Sequence, residues 1–230
     1  MRHSSQTILI TGSSRGIGLA LVSLLSARGD HVIALCRTPS SELILLNEDP
    51  KRRITLFPDL DVLDPSNLPV RLEQAGVKRL DLLINNAGVL ARTPLDDLNF
   101  SHIECQIATN AIAPLKVVAS CLDYLGDGSK IVNITSRMGS ISDNTSGGMY
   151  GYRMSKVALN MATRSLSVDL KERGIAVACI HPGFVRTDMT GHRGLIEPEE
   201  SAQGIIERIT RLTLETSGQF YHCNGEELPW

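Results

Sequence analysis

Two tyrosines and a lysine crowd the stretch YGYRMSK, residues 150–156, in a chain with only four tyrosines, four phenylalanines and one tryptophan among 230 residues. A phenol beside an ammonium is a candidate proton donor, because a nearby positive charge favours the phenolate. On a helix Tyr152 and Lys156 are four residues apart and share a face, whereas Tyr150 and Lys156, six apart, point roughly 240° away from each other. Tyr152 is therefore the partner of Lys156. Tyr150 falls at or before the helix start, where lining a cleft and covering the core are both open to it. A free phenol titrates near ~10, and lowering it towards ~7 asks for about 4 kcal/mol of extra stabilisation of the phenolate. Lys156 is expected to supply it.

A second set of residues suits anion binding. TGSSRGIGLA, residues 11–20, spaces Gly12, Gly16 and Gly18 as G-x-x-x-G-x-G, with Ser14, Arg15 and Ile17 between them. Glycines there tighten the turn, let backbone N–H groups approach a pyrophosphate and place that anion at a helix N-terminus. Glycines alone are also found in merely flexible turns; the apolar run before and the helical run after favour the dinucleotide. The second β-rich run ends in ALCRTP, with Arg37 where sheets selective for NAD carry an acidic residue against the ribose 2′-hydroxyl. Arg15 adds a second guanidinium. Two such groups can bond a 2′-phosphate, each charge-assisted bond being worth roughly 1.5–3 kcal/mol. NADPH is the expected cofactor and NADH the lesser one, two ligand-free surface arginines being the alternative.

Residues 7–11, 31–36, 54–57, 80–85, 130–135, 175–180 and 219–222 read as strands that are continuously apolar, the mark of a parallel sheet covered on both faces. Helical segments lie near 17–28, 64–76, 97–124, 152–173 and 198–212. The expectation is an α/β fold: a single Rossmann-type doubly wound parallel sheet of about seven strands with helices on both faces, forming one catalytic domain over residues 1–230. In such sheets the carboxyl ends of the strands carry the ligands, which is where the motifs fall.

Composition excludes other classes. Net charge is -2, with 23 basic and 25 acidic residues, and the longest like-charge run, Lys51–Arg53, reads as a solvated turn. Nothing there attracts nucleic acid or an anionic membrane. The apolar stretch near the N-terminus is too short for a signal peptide, and no run of about 18 apolar residues suits a membrane helix, so a cytoplasmic protein is expected. Five cysteines (Cys36, Cys105, Cys121, Cys179, Cys223) are scattered without C-x-x-C spacing, which suggests neither disulfides nor a metal site. Most are expected to be small core residues.

The T-G-x-x-x-G-x-G loop, NNAG at 85–88, Ser136 after a strand, Tyr152-x-x-x-Lys156 and HPGFVRTDM at 181–189 together resemble the short-chain dehydrogenase/reductase family across most of the chain. YRMSK and the ending GEELPW resemble its small carbonyl-reductase branch, which includes C-factor-like signalling proteins. The resemblance implies that Lys156 also holds the nicotinamide ribose and that Ser136 bonds the substrate carbonyl. It implies that Asn110, in N-A-x-x-P, distorts its helix and holds a water linking the lysine to solvent; a helix-surface asparagine is the plainer alternative. Asp61 and Val62 would contact adenine, Asp61 being otherwise a capping residue. Asn86, Ala87 and Gly88 would back the adenine ribose, and in the block opened by Pro182, Val185 and Thr187 would hold the carboxamide. His181 is expected to be a packed loop residue without a catalytic role.

Two function classes follow. One is an NADPH-dependent reductase of ketones, aldehydes or quinones, with Tyr152 as general acid/base; the other is a nucleotide-binding redox sensor or C-factor-like signal with little turnover. Retention of Ser136, Tyr152 and Lys156 favours the enzyme. A sugar-nucleotide epimerase would need a longer C-terminal substrate domain, whereas TGHRGLIEPEE offers only a small lid. Met138, Tyr150, Phe184 and Met189 are candidate pocket residues for a small carbonyl substrate. The two long helices also offer a symmetric four-helix contact for a homodimer.

Overall fold

The computed structural model describes residues 4–230. Seven strands, β1 (Thr7–Thr11), β2 (His31–Leu35), β3 (Arg53–Phe57), β4 (Leu82–Asn85), β5 (Lys130–Ile134), β6 (Ala176–His181) and β7 (Phe220–His222), form one sheet. Its order is β3-β2-β1-β4-β5-β6-β7 and every named pairing is parallel. This is the doubly wound Rossmann-type arrangement. The continuous apolar runs have a simple cause, because alternate residues of each strand enter different cores. Ile8 and Ile10 pack with Leu21 and Leu25 of α1 (Gly16–Ala27) and Ile205 of α7 (Pro198–Arg211). Leu9 joins Leu72 of α3 (Leu68–Gln74) and Val117 of α5 (Ala113–Cys121) on the opposite face. All are 0–1% exposed, so truncating one to alanine would cost about 2–5 kcal/mol.

One helix was not legible from periodicity. α2 (Ser41–Glu48) is short and buries only Leu43; it starts because the Ser40 side chain accepts from the Leu43 amide. The long segment expected over 97–124 is divided. α4 (Phe100–Ile107) passes into a π-helical turn, Ala108–Ile112, before α5 resumes. By length and composition alone Phe100–Tyr124 is long and apolar enough to cross a membrane, although polar residues interrupt it and it holds no unbroken run of about 18 apolar residues. Here Ala113, Val117 and Cys121 of this segment are buried against the sheet. A smaller expectation also needs correction. Arg53 opens β3, and Arg52 is half-buried and bonded to Ser23 O and Ser26 Oγ rather than solvated. The cysteines follow expectation: four of the five are buried, Cys105 is exposed, and all five are free.

Strand order reverses between β1 and β4, so their carboxyl ends leave a crevice flanked by the glycine loop and by residues 86–88. α6 (Tyr150–Asp169) lies along the same end of the sheet, against β6 and the π turn.

Candidate active site

The glycine loop is tight because its glycines touch backbone. A Cβ on Gly18 would sit 2.1 Å from Gly12 O, and one on Gly12 would sit 2.8 Å from Ala87 Cα. Gly12 and Gly16 adopt φ of 69° and 54°, the left-handed region that glycine enters without a steric cost. Thr11 fastens this loop to the β4 end, its Oγ1 accepting from the amides of Asn86 (3.0 Å) and Ala87 (3.1 Å). Asn86 returns the bond, its Nδ2 donating to Thr11 O and Gly12 O at 3.1 Å each. Val62 and Ala87 share a shallow cleft with Thr11, and Ile17 is partly buried against the α1 core. Such a cradle at a helix N-terminus fits a dinucleotide pyrophosphate.

Ser14 Oγ donates to Thr38 O at 2.7 Å and so draws the loop after β2 towards the glycine loop. Arg37 is exposed there and makes no ion pair with a described residue. Arg15 is also exposed, yet its guanidinium pairs with Asp188 at 3.2 Å, a partner that the motifs alone did not indicate. Asp61 sits in a turn, its Oδ1 accepting from the Leu63 amide at 2.9 Å. It does not cap α3, which starts seven residues later at Leu68.

The segment after β6 crosses over the glycine loop: a Cβ on Gly16 would meet Thr187 Cγ2 at 3.1 Å. Pro182 O accepts from Ser201 Oγ at 2.6 Å, Val185 is buried and bridges to Ile196, and Thr187 caps the 3-10 turn Asp188–Thr190. His181 ends β6 instead of lying in a loop; its ring stands edge-on to His222 at 4.8 Å and burial pushes it down to about 3.

At the head of α6 the two tyrosines separate as their register demands. Tyr152 and Lys156 are 9% and 5% exposed and face inward, while Tyr150 is the first helical residue and 36% exposed. Gly151 between them allows a close approach, since a Cβ there would lie 2.5 Å from Gln106 Nε2 of α4. Lys156 Nζ donates to Ile134 O at 2.9 Å and stands 5.7 Å from the Tyr152 ring centroid. Ser136 is buried at the end of β5, its Oγ accepting from the Met138 amide at 3.2 Å. Ser136, Tyr152 and Lys156 thus meet at one point of the sheet's carboxyl edge.

The electrostatics of that point differ from the expectation of a lowered phenol. Burial pushes Tyr152 up to about 12, and the Ser136 side chain pulls only partly the other way. Lys156 is itself brought down to about 8 by burial. The physical reason is desolvation, which penalises phenolate and ammonium alike and is the largest cause of both shifts.

Asn110 is fully buried at the centre of the π turn and is no surface residue. Its Oδ1 accepts from Val89 N and its Nδ2 donates to Val89 O, both at 2.8 Å, with Ser155 Oγ at 2.9 Å. Gly88 comes close enough that a Cβ would lie 3.1 Å from Asn110 Oδ1 and 3.9 Å from Lys156 Nζ. A polar ladder that the motifs do not indicate lies behind this centre. Asn85 Nδ2 donates to Asn133 Oδ1, whose Nδ2 donates to Thr163 Oγ1, each at 2.9 Å; Thr135 Oγ1 donates to Asn160 Oδ1 at 2.6 Å. Asparagine inside the apolar run KIVNIT was the available signal.

The family model described as short chain dehydrogenase matches residues 6–195. The chain belongs to the short-chain dehydrogenase/reductase family. Within that family it is 38% identical over 231 residues to the 1-hydroxy-2-glutathionyl-2-methyl-3-butene dehydrogenase of Rhodococcus sp. strain AD45, covering 97% of this chain and 99% of that protein. It is 42% identical over 154 residues to the C-signal of Myxococcus xanthus, covering 66% and 93% respectively. The NADPH-bound carbonyl reductase from chicken fatty liver superposes with a TM-score of 0.89 at 32% identity, over 99% of this chain and 100% of that one. Family membership makes the chain an oxidoreductase of this class.

Proposed function

We propose that this dehydrogenase/reductase reduces a small carbonyl compound to an alcohol with NADPH, Tyr152 acting as proton donor. The observation that carries the reading is the convergence of buried Ser136, Tyr152 and Lys156 beside the glycine cradle. A sensor or signal needs the cradle but not that triad. The chicken carbonyl reductase, bound to NADPH, supports the cofactor, and so does Arg37, exposed beside the loop that Ser14 ties to the cradle. Gly12, Gly16 and Gly18 would admit the pyrophosphate, with Ser14, Arg15 and Ile17 around it. Asp61 and Val62 would border the adenine, Asn86–Gly88 its ribose, and Pro182, Val185 and Thr187 the carboxamide.

When bound, the nicotinamide supplies the hydride. The chain's own residues handle the oxygen. Ser136 would donate a hydrogen bond to the carbonyl, holding it beside the Tyr152 hydroxyl. Tyr152, kept protonated by burial, delivers its proton as the alkoxide forms. Lys156, largely an ammonium at neutral pH with a value of about 8, then stabilises the phenolate and bonds the ribose. Asn110 fixes the backbone of Val89 next to Gly88 and Lys156, and would steady a water for proton return.

Phe184, Met189 and Leu195 are exposed together with Tyr150 near this end of the sheet, which suits an apolar or aromatic substrate body. The Rhodococcus relative, named as a dehydrogenase of a hydroxy compound, supports a second direction, alcohol oxidation. The five free cysteines suit a reducing cytoplasm. A homodimer belongs to the same reading: Leu115, Met154, Met161 and Val168 of α5 and α6 are exposed apolar residues, and sedimentation showing only monomer at micromolar concentration would remove it. A panel of ketones, aldehydes and quinones offered with NADPH and with NADH tests the function. NADPH-selective turnover of at least one class is expected; a protein that binds NADPH tightly and reduces none of them is a sensor or signal.

A further inference from the structure

Between Ser136 and Tyr152 the chain makes a polar excursion, residues 140–148, that has no core of its own. Residues 141–147 are exposed, and Gly147, Gly148 and Met149 follow one another with left-handed φ of 62°, 61° and 53°. Such a stretch holds one conformation only if something outside it does the holding. The structure shows what does. The last residues fold back beneath β7, with His222 N donating to Glu226 O at 2.8 Å and Leu228 N to Phe220 O at 2.7 Å, and with the Trp230 ring 5.5 Å from that of Phe220. This brings the main-chain oxygen of Trp230 under the excursion. It accepts from Ile141 N, Ser142 N and Ser140 Oγ at 3.1 Å each, and from Ser142 Oγ at 2.8 Å.

A guanidinium completes the attachment. Arg137, the residue after Ser136, reaches Glu226 in the tail at 2.7 Å with one nitrogen and Asp143 in the excursion at 3.1 Å with another. One side chain therefore joins the serine's turn, the loop and the tail. We propose that residues 224–230 act as a clamp that sets the substrate side of the active site, and that Arg137 is its positioning residue. The clamp does not touch the nucleotide cradle, which is built from β1, β2 and β4 ends. Its effect falls on carbonyl binding and on the distance from Ser136 to Tyr152, and leaves NADPH affinity alone. The kinetic part of this inference rests on the proposed carbonyl reduction; the structural part does not.

The test pairs kinetics with amide hydrogen exchange on the full chain. Arg137→Met is expected to raise KM for the carbonyl about ten-fold or more and to lower kcat less, with the Kd for NADPH within two-fold of wild type. Arg137→Lys, which keeps the charge but not the fork, recovers most of the loss. Glu226→Gln removes one partner with the arginine intact, reproduces a smaller KM increase, and serves should Arg137→Met fold poorly. In both variants exchange quickens at residues 140–147 and is unchanged in the central strands. Wild-type kinetics in both variants together with unchanged exchange overturns the clamp, and so does a loss of NADPH affinity equal to the rise in KM. If the wild type turns over no carbonyl, the proposed function falls, while the exchange comparison still decides whether the clamp exists.

Discussion

At the scale of single residues, the proposed cofactor choice would rest mostly on Arg37. Arg15 already has Asp188 for a partner, an exposed pair worth ~1 kcal/mol or less. Arg37, exposed and without an ion pair to a described residue, is the freer of the two cations for a 2′-phosphate. Arg37→Asp sets a carboxylate against a group of roughly -1.5 to -2 charges. The expected outcome is a fall in kcat/KM for NADPH of about 10- to 100-fold, with NADH unchanged or improved through the new bond to its ribose hydroxyl. The penalty should shrink in raised salt, because the site is exposed. An unaltered NADPH/NADH ratio removes Arg37 from the site. Its position was legible from the end of an apolar strand, whereas Asp188, 173 residues from Arg15, was not. No local pattern announces a contact of that separation.

Among the elements, the segment from α4 to α5 departs furthest from its sequence pattern. Its apolar periodicity predicts one helix, the family resemblance implies a distortion at Asn110, and the π turn found there follows from a demand outside the helix. Val89 follows the NNAG loop and has no strand partner, so Asn110 satisfies both of its backbone groups and Ser155 as well. Asn110→Leu keeps the volume and leaves the part-buried Val89 groups and the buried Ser155 hydroxyl without this partner, at about 1–3 kcal/mol for each group left unpaired. Urea unfolding should show a loss of about 2–4 kcal/mol, with weaker NADPH binding as the 86–89 loop loosens; a loss under ~1 kcal/mol would contradict this. The asparagine itself was conspicuous in a helix, but its partner was not. α2 stayed hidden for the opposite reason: eight residues with one buried side chain give periodicity too little to register.

For the molecule as a whole, the buried centre costs stability. Lys156 goes from 10.5 to about 8 on burial, so the unfolded chain holds its proton to higher pH than the native one. Its cost to the fold is therefore fully present below pH 8 and is relieved as pH rises from about 8 to 10.5. Tyr152 has the reverse sign, raised from 10.0 to about 12, and its contribution is lost only above pH 10. Lys156→Met should thus be inactive yet more stable at pH 7 by about 1–2 kcal/mol, or roughly 2–6 °C in Tm, with the advantage narrowing by pH 9.5. A less stable variant at pH 7 would contradict it. The sheet, the cradle and the Tyr152–Lys156 register could be read from the sequence because each rests on local spacing. The raised phenol and the tail clamp could not, since desolvation and contacts 88 or 90 residues apart exist only in the assembled fold. In the proposed reaction Tyr152, and not Tyr150, would give the proton. Single-turnover oxidation of bound NADPH on mixing with a reducible carbonyl tests it directly. Tyr152→Phe should slow that step by about 10²–10⁴-fold with NADPH affinity retained, while Tyr150→Phe stays within about ten-fold of wild type and shifts substrate preference. A Tyr150→Phe variant that is dead beside a Tyr152→Phe variant that still turns over would contradict the account.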